Sequence, residues 1–275
     1  MNFEAFRALQ QVTEIDGLTV SYVDEGEGPA LLLIHGIPVW GYLWKDCIPA
    51  LTAHFRVIVP DLLGYGYSDQ RDRFDRSIKV QAEMLAKLLA ELGVDDLFLV
   101  GHDIGGAVAQ RFVVDNAARV SKWVLIDSVL YDSWPAEPMV RLVNPKQHDK
   151  NQGDQLARTF IQRLPDGIHH KDRATTELLE GWMAPYMSDV GKLSLIRNAA
   201  ALNTNHTMEL LDALQEVPRP LLLWAAKDQF QPLATAERFV ADYPGTELRV
   251  IDDSDHFLPL EKPEAVAQNL IDFLG

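Results

Sequence analysis

Three residues of this chain, Asp103, Asp228 and His256, stand where side chains do chemistry. Asp103 lies within Gly101-His102-Asp103-Ile104-Gly105-Gly106, between the apolar run Leu97 to Val100 and the helical stretch Gly105 to Asn116. An apolar strand, a tight turn flanked by small residues and a helix make a nucleophile elbow, where lack of bulk lets one side chain stand clear of a sheet. An isolated acid at such a turn would serve equally well as a helix N-cap. Two later segments tip the reading toward catalysis. Leu221 to Ala225 runs into Ala226-Lys227-Asp228, and Leu248 to Ile251 runs into Asp252-Asp253-Ser254-Asp255-His256. Nucleophile, acid and histidine thus follow successive strand ends in the order such sites use. In a parallel sheet those ends share one edge, where ligands bind.

The elements that must position these loops can be read from periodicity. Val12 to Ile15 and Leu18 to Val23 flank Asp16-Gly17 and predict a hairpin. Ala30 to Ile34 and Arg56 to Val59 are continuous apolar strands running into His35-Gly36-Ile37-Pro38 and Asp61 to Ser68. Tyr42 to Phe55 suits a helix bent at Pro49, and Ser77 caps a helix whose apolar positions recur from Val80 to Leu92 before Gly93. Lys122 to Ile126 adds a strand, and a last helix is expected from Pro263 to Phe273. The pattern predicts an α/β fold, a mostly parallel twisted sheet with helices on both faces. Strand signals vanish between Asp132 and Glu216, where Gln155 to Leu164, Thr175 to Met183 and Leu193 to Leu202 read as helical. A helical cap (132–216) inserted after the sixth strand is therefore expected, with 1–131 and 217–275 forming the core. Trp134, Met139, Phe160, Trp182, Met183, Tyr186 and Met187 would divide between the cap's own core and an apolar pocket wall.

Composition narrows the partners. The 275 residues are 47% hydrophobic, enough for one large core with an insertion, and the formal charge of -15 argues against nucleic acid or anionic membrane. Cys47 is the only cysteine, so no internal disulfide forms and a reducing, cytoplasmic setting is expected. Met1 to Leu9 carries Glu4 and Arg7 and lacks a signal-peptide core. Neither a phosphate loop nor metal-ligand spacing is visible, and no cofactor is expected.

Over nearly its full length the chain resembles the α/β-hydrolase fold, and within it the branch with an aspartate nucleophile, the haloalkane dehalogenases and epoxide hydrolases. His35-Gly36-Ile37-Pro38-Val39-Trp40-Gly41-Tyr42-Leu43-Trp44 resembles the dehalogenase stretch, and Asp61 to Ser68 and Asp255-His256-Phe257 match the wider fold. The resemblance implies a small apolar organic substrate, water as second substrate, and a monomer or homodimer. Carboxylate attack on a saturated carbon leaves an ordinary ester, whereas attack on an acyl carbon leaves a reactive anhydride. Asp103 therefore suits displacement, with His256, oriented by Asp228, activating water in a second step. The backbone N–H groups of Ile37 and Ile104 are the expected oxyanion donors.

The chain departs from the family at the leaving group. Dehalogenases usually place tryptophan after the nucleophile and often asparagine after His-Gly, where this chain has Ile104 and Ile37. Fluoroacetate dehalogenases carry arginines where Ile104 and Ala107 stand here. Trp134 and Trp182, and less directly Trp40, are the candidate halide donors. Epoxide hydrolases commonly use two cap tyrosines, and only Tyr186 is available, with Tyr131 where the cap begins. Carbon–halogen hydrolysis, epoxide hydrolysis, ester or lactone chemistry and a ligand-binding role remain as alternatives. Asp127 is the second candidate for the triad acid. His102 and His35 read as structural, and His169 and His170 as a solvated loop.

Overall fold

The computed structural model describes residues 1–143 and 162–275. Part of the expected Gln155 to Leu164 helix, and Phe160, lie outside the described residues. Eight strands form one sheet in the order β1-β2-β4-β3-β5-β6-β7-β8. They are β1 (Gln10–Ile15), β2 (Leu18–Glu25), β3 (Ala30–Ile34), β4 (Arg56–Pro60), β5 (Leu97–His102), β6 (Val120–Ile126), β7 (Leu221–Ala225) and β8 (Glu247–Ile251). The pairs β1–β2 and β2–β4 are antiparallel and all others parallel. Asp16 and Gly17, both at positive φ, make the turn of the opening hairpin.

Burial follows the sequence pattern. Every residue of β3 and β7 is buried, as expected of strands covered on both faces, whereas β1 and β8 at the edges alternate toward solvent. Helices Ile78–Glu91 and Ile104–Asp115 pack together, and the last helix, Pro263–Leu274, packs against β6 and the short helix Ile48–Leu51. The segment expected as one bent helix is a 3-10 turn at Gly41–Trp44 followed by Ile48–Leu51, with Pro49 in its first turn. Between β6 and β7 the described residues contain no strand; they carry helices Glu137–Leu142, Thr176–Met183 and Asp189–Ala200. No helix among the described residues is long and apolar enough to cross a membrane.

Two groups of contacts, among others, tie this helical insertion to the core. Arg76 donates to Ser194 Oγ (2.8 Å) and Asn198 Oδ1 (2.5 Å), and Asn198 Nδ2 donates to the Gly64 carbonyl at 2.7 Å. The second runs through an N-terminal helix, Phe3–Leu9, capped by Asn2, which the sequence reading did not anticipate. Phe3 and Phe6 stand edge-on to Trp40 and Tyr42, and Trp40 Nε1 donates to the Gly181 carbonyl at 3.2 Å.

At the centre, β5 lies between β3 and β6 and delivers its C-terminal end to the middle of the edge. The helix after it starts so close to β3 that a Cβ at Gly105 would lie 2.5 Å from the His35 carbonyl oxygen and 2.6 Å from that of Ile34. Both are backbone atoms and cannot rotate away. Gly105→Ala is expected to destabilise the protein by about 1–3 kcal/mol as overpacking. A urea titration checks this, and an unchanged midpoint would refute the close-approach argument.

Candidate active site

Asp103 sits at the turn between β5 and helix Ile104–Asp115 with φ 54 and ψ -124, a backbone conformation L-residues rarely adopt. Its N–H donates to the Ile126 carbonyl (3.3 Å), and its own carbonyl accepts from Gly106 N (2.9 Å) and Val129 N (3.2 Å). Those bonds hold the strained turn against β6 and the loop beyond it. Gly36 leaves room for the side chain, since a Cβ there would lie 2.4 Å from Asp103 Cβ. The Ile37 N–H donates to Asp103 Oδ1 at 2.8 Å.

The three residues singled out by their order converge. His256 Nε2 lies 3.6 Å from Asp103 Oδ2, and its Nδ1 is 3.0 Å from Asp228 Oδ2. The other Asp228 oxygen accepts from the N–H groups of Phe230 (2.7 Å) and Gln231 (2.8 Å). Asp127, the rival acid, is buried on the loop after β6 and accepts from Ala225 N (2.7 Å), and its Oδ2 has no partner among the described residues. His256 thus pairs with Asp228. Burial, and then the Asp228 charge, push the Asp127 carboxyl well above its ordinary range.

Electrostatics follow from this burial. Burial alone would lower the His256 pKa, but the charge and hydrogen bond of Asp228, and then the charge of Asp103, outweigh it and raise it to about 9. Burial raises the Asp103 pKa, against the opposing pull of His256 and of the Ile104 and Ile37 backbone N–H groups. Near neutrality His256 is therefore an imidazolium, with Asp228 and Asp103 on either side of its ring.

Residues outside this group hold its loops in register. The Leu62 N–H donates to His35 Nε2 at 3.0 Å, so the His35 Nδ1–H points to the Gly36 carbonyl at 2.9 Å, and burial lowers its pKa to about 4. His102 lies 2.7 Å from the His256 carbonyl through its Nε2, tying the elbow to the histidine loop. Asp255 accepts from His256 N (2.8 Å) and Gln229 N (3.2 Å), and buried Glu261 accepts from Asp255 N (2.8 Å) and His170 N (2.8 Å). Asp255 entered the sequence reading only beside His256, in the run that ends there and in the Asp255-His256-Phe257 match, and nothing in the sequence pattern distinguished Glu261 from neighbouring surface acids. His169 is exposed and lies 3.1 Å from Lys227 Nζ, and His170 is half-buried on the same surface loop.

Above Asp103 and His256 lies a cavity of about 390 Å³, with Ile37, Ile104, Met139, Leu164 and Phe230 among its apolar walls. Of the aromatic residues expected to line it, Trp134 does, but its Nε1 donates to Thr207 Oγ1 at 2.8 Å. The other aromatic candidates among the described residues stand elsewhere. Trp40 belongs to the N-terminal aromatic cluster, and Trp182 is buried against Phe257, with ring centroids 4.8 Å apart. The Tyr131 hydroxyl donates to Asp242 Oδ2 at 2.7 Å, beneath Arg238. Tyr186 is fully buried and has Gly191 packed against its backbone. Gln231, which the sequence reading passed over, lines the cavity. Among the described residues no group of three or more His, Cys, Asp or Glu could hold a metal.

A mostly parallel eight-stranded sheet with an acid at its central elbow and an acid and a histidine on later loops defines an alpha/beta hydrolase. The chain belongs to that family, whose model matches residues 31–269. It is 30% identical to haloalkane dehalogenase 2 of Mycobacterium tuberculosis over 270 residues, covering 93% of this chain and 91% of that one. It is 28% identical to a soluble epoxide hydrolase of a Corynebacterium species, covering 95% of each. Among solved structures, the haloalkane dehalogenase DbeA of Bradyrhizobium elkani superposes with a TM-score of 0.83 at 22% identity, covering 96% of each chain.

The imidazolium argument has a direct check. In proton NMR titrations, Asp228→Asn is expected to lower the His256 midpoint from about 9 by more than Asp103→Asn does, because Asp228 supplies both charge and hydrogen bond. A midpoint unmoved by either substitution would contradict the assigned causes.

Proposed function

We propose that this hydrolase cleaves carbon–halogen bonds through a covalent ester on Asp103. The observation that carries the reading is the division of labour between the two Asp103 oxygens. Oδ1 is held by the Ile37 N–H at 2.8 Å, while Oδ2 lies 3.6 Å from the His256 ring, and Asp103 lines the cavity. In the first step Oδ2 attacks the saturated carbon, the carbon–halogen bond breaks and the electron pair leaves with the halide.

Alkylation then changes the protonation of the site. The ester carries no charge, so one of the two carboxylates that hold the His256 proton is cancelled and the imidazole loses its proton to solvent. Neutral Nε2 takes a proton from water as the water oxygen attacks Asp103 Cγ. Negative charge develops on Oδ1, where the backbone N–H groups of Ile37 and Ile104 meet it. Collapse breaks the bond from Cγ to the alkyl-bearing oxygen, which takes the proton from His256 Nε2 and leaves as the alcohol, and the new carboxyl gives its proton back to Nε2 to restore the carboxylate and the imidazolium.

A halide is favoured over an epoxide by the cavity wall. Opening an epoxide generates an alkoxide that needs a proton, and no tyrosine is among the described residues lining the cavity. Halide leaves as a stable anion. The haloalkane dehalogenase relative at 30% identity points the same way.

Intact-protein mass spectrometry of His256→Ala, incubated separately with bromoalkanes and with epoxides, tests the proposal. An alkyl mass mapped to Asp103 from bromoalkanes is expected, because loss of the base stalls the second step. Asp103→Asn is expected to cut turnover by roughly four orders of magnitude or more. A hydroxyalkyl mass from epoxides alone, or turnover that survives Asp103→Asn, would overturn it.

A further inference from the structure

Displacement leaves charge on the departing atom, and that charge needs donors on its own side of the cavity. Ile37 and Ile104 offer none from their side chains, and the Trp134 indole is committed to Thr207. Arg141 is 64% exposed and paired with Glu137, Arg163 is exposed at the rim, and Gln229 Nε2 donates to Asp255 and the Asp166 carbonyl.

Gln231 differs from all of these. It is 1% exposed, yet it lines the same cavity as Asp103 and His256. Its backbone is fixed at both ends, since its N–H donates to Asp228 Oδ1 at 2.8 Å and its carbonyl accepts from Trp224 Nε1 at 2.8 Å. Its Oε1 accepts from Ser133 Oγ at 2.6 Å. That contact also sets the direction of the amide. Ser133 Oγ already accepts the Leu130 N–H at 3.2 Å, so the hydroxyl has its proton to give, and the reversed amide would leave that proton without an acceptor. The amide nitrogen is thereby turned away from Ser133. Its two N–H groups have no partner among the described residues. Unpaired yet not sealed off, that nitrogen keeps a small accessible surface, through which a ligand in the cavity can supply the acceptor.

We propose that the side-chain N–H groups of Gln231 hold the departing halide, with Ser133 as the positioning residue that aims them. The inference rests on the Asp103 ester reading and narrows its substrate class. An amide donates hydrogen bonds but yields no proton, so this donor serves a leaving group that departs as a stable anion. The carbon–Oδ2 bond forms, the carbon–halogen bond breaks, and no proton moves in that step.

The test uses His256→Ala as parent and measures the rate of Asp103 alkylation with matched 1-chloro-, 1-bromo- and 1-iodoalkanes. Adding Gln231→Met is expected to slow alkylation by about tenfold or more for chloride, less for bromide and least for iodide, because the smaller anion concentrates its charge. Bromide inhibition of the otherwise wild-type enzyme is expected to weaken with Gln231→Met by a similar factor. Ser133→Ala should give the same leaving-group order with a smaller loss, and it carries the test if Gln231→Met does not fold. Equal slowing across the three leaving groups, or none, would overturn the assignment while leaving the ester reading intact. A parent that forms no adduct with any haloalkane would overturn both.

Discussion

Two carboxylates and an imidazole share a site nearly closed to water, and the rest of the structure depends on that arrangement. Asp103 and Asp228 are each 6% exposed and His256 3%. A single buried carboxylate costs several kcal/mol unless its charge is met and its lone pairs are filled. Here the imidazolium lies between the two acids, and backbone N–H groups from Ile37, Phe230 and Gln231 take the outward-facing oxygens. Asp127, a short distance along the same edge, meets the same constraint differently. Its Oδ1 takes the Ala225 N–H, and burial followed by the Asp228 charge raises its pKa.

Bringing those groups together requires backbone that does not relax. Asp103 stands at positive φ because β5 is clamped between β3 and β6 and the following helix begins in van der Waals contact with β3. The histidine loop is anchored separately, through His102 to its carbonyl, Asp255 to its N–H and Glu261 to Asp255. Asp255 also binds the N–H of Gln229, beside Asp228, so one carboxylate holds the acid and histidine loops in register. Preorganisation of this kind costs nothing further when charge moves during reaction.

Which parts of this were legible in the sequence follows from the range of the forces involved. Strands buried on both faces must be apolar throughout, so β3, β5 and β7 announce themselves, and with them the loops that carry Asp103 and Asp228. The N-terminal helix Phe3–Leu9 did not, because seven residues carry little periodic signal and its stability comes from Trp40 and Tyr42. Aromatic residues were visible as pocket candidates, but their direction is decided by distant partners. Trp40 meets the carbonyl of Gly181, 141 residues away, and Trp134 meets Thr207, 73 away. Gln231 was invisible for the same reason, since its orientation depends on Ser133, 98 residues earlier.

The core and the helical insertion then carry different burdens. Every charged group of the central constellation comes from loops at the ends of sheet strands, while the insertion contributes mainly walls such as Met139, Leu142 and Leu164. Relatives named for haloalkane and epoxide hydrolysis each cover more than nine-tenths of this chain, so the scaffold alone does not choose between them. What separates those reactions is the fate of the leaving group, anion or alkoxide, and hence whether the cavity offers donors or an acid. In this chain an amide-bearing residue of the cavity wall, Gln231, is carried by the same loop as Asp228, three residues beyond it, rather than by the insertion. Because Asp228 Oδ1 binds the Gln231 N–H while Oδ2 faces His256, a shift of that loop disturbs base and amide together. On the proposed reading, the insertion shapes the walls while the Asp228 loop carries the amide, so substrate size and leaving-group chemistry would answer to different parts of the chain.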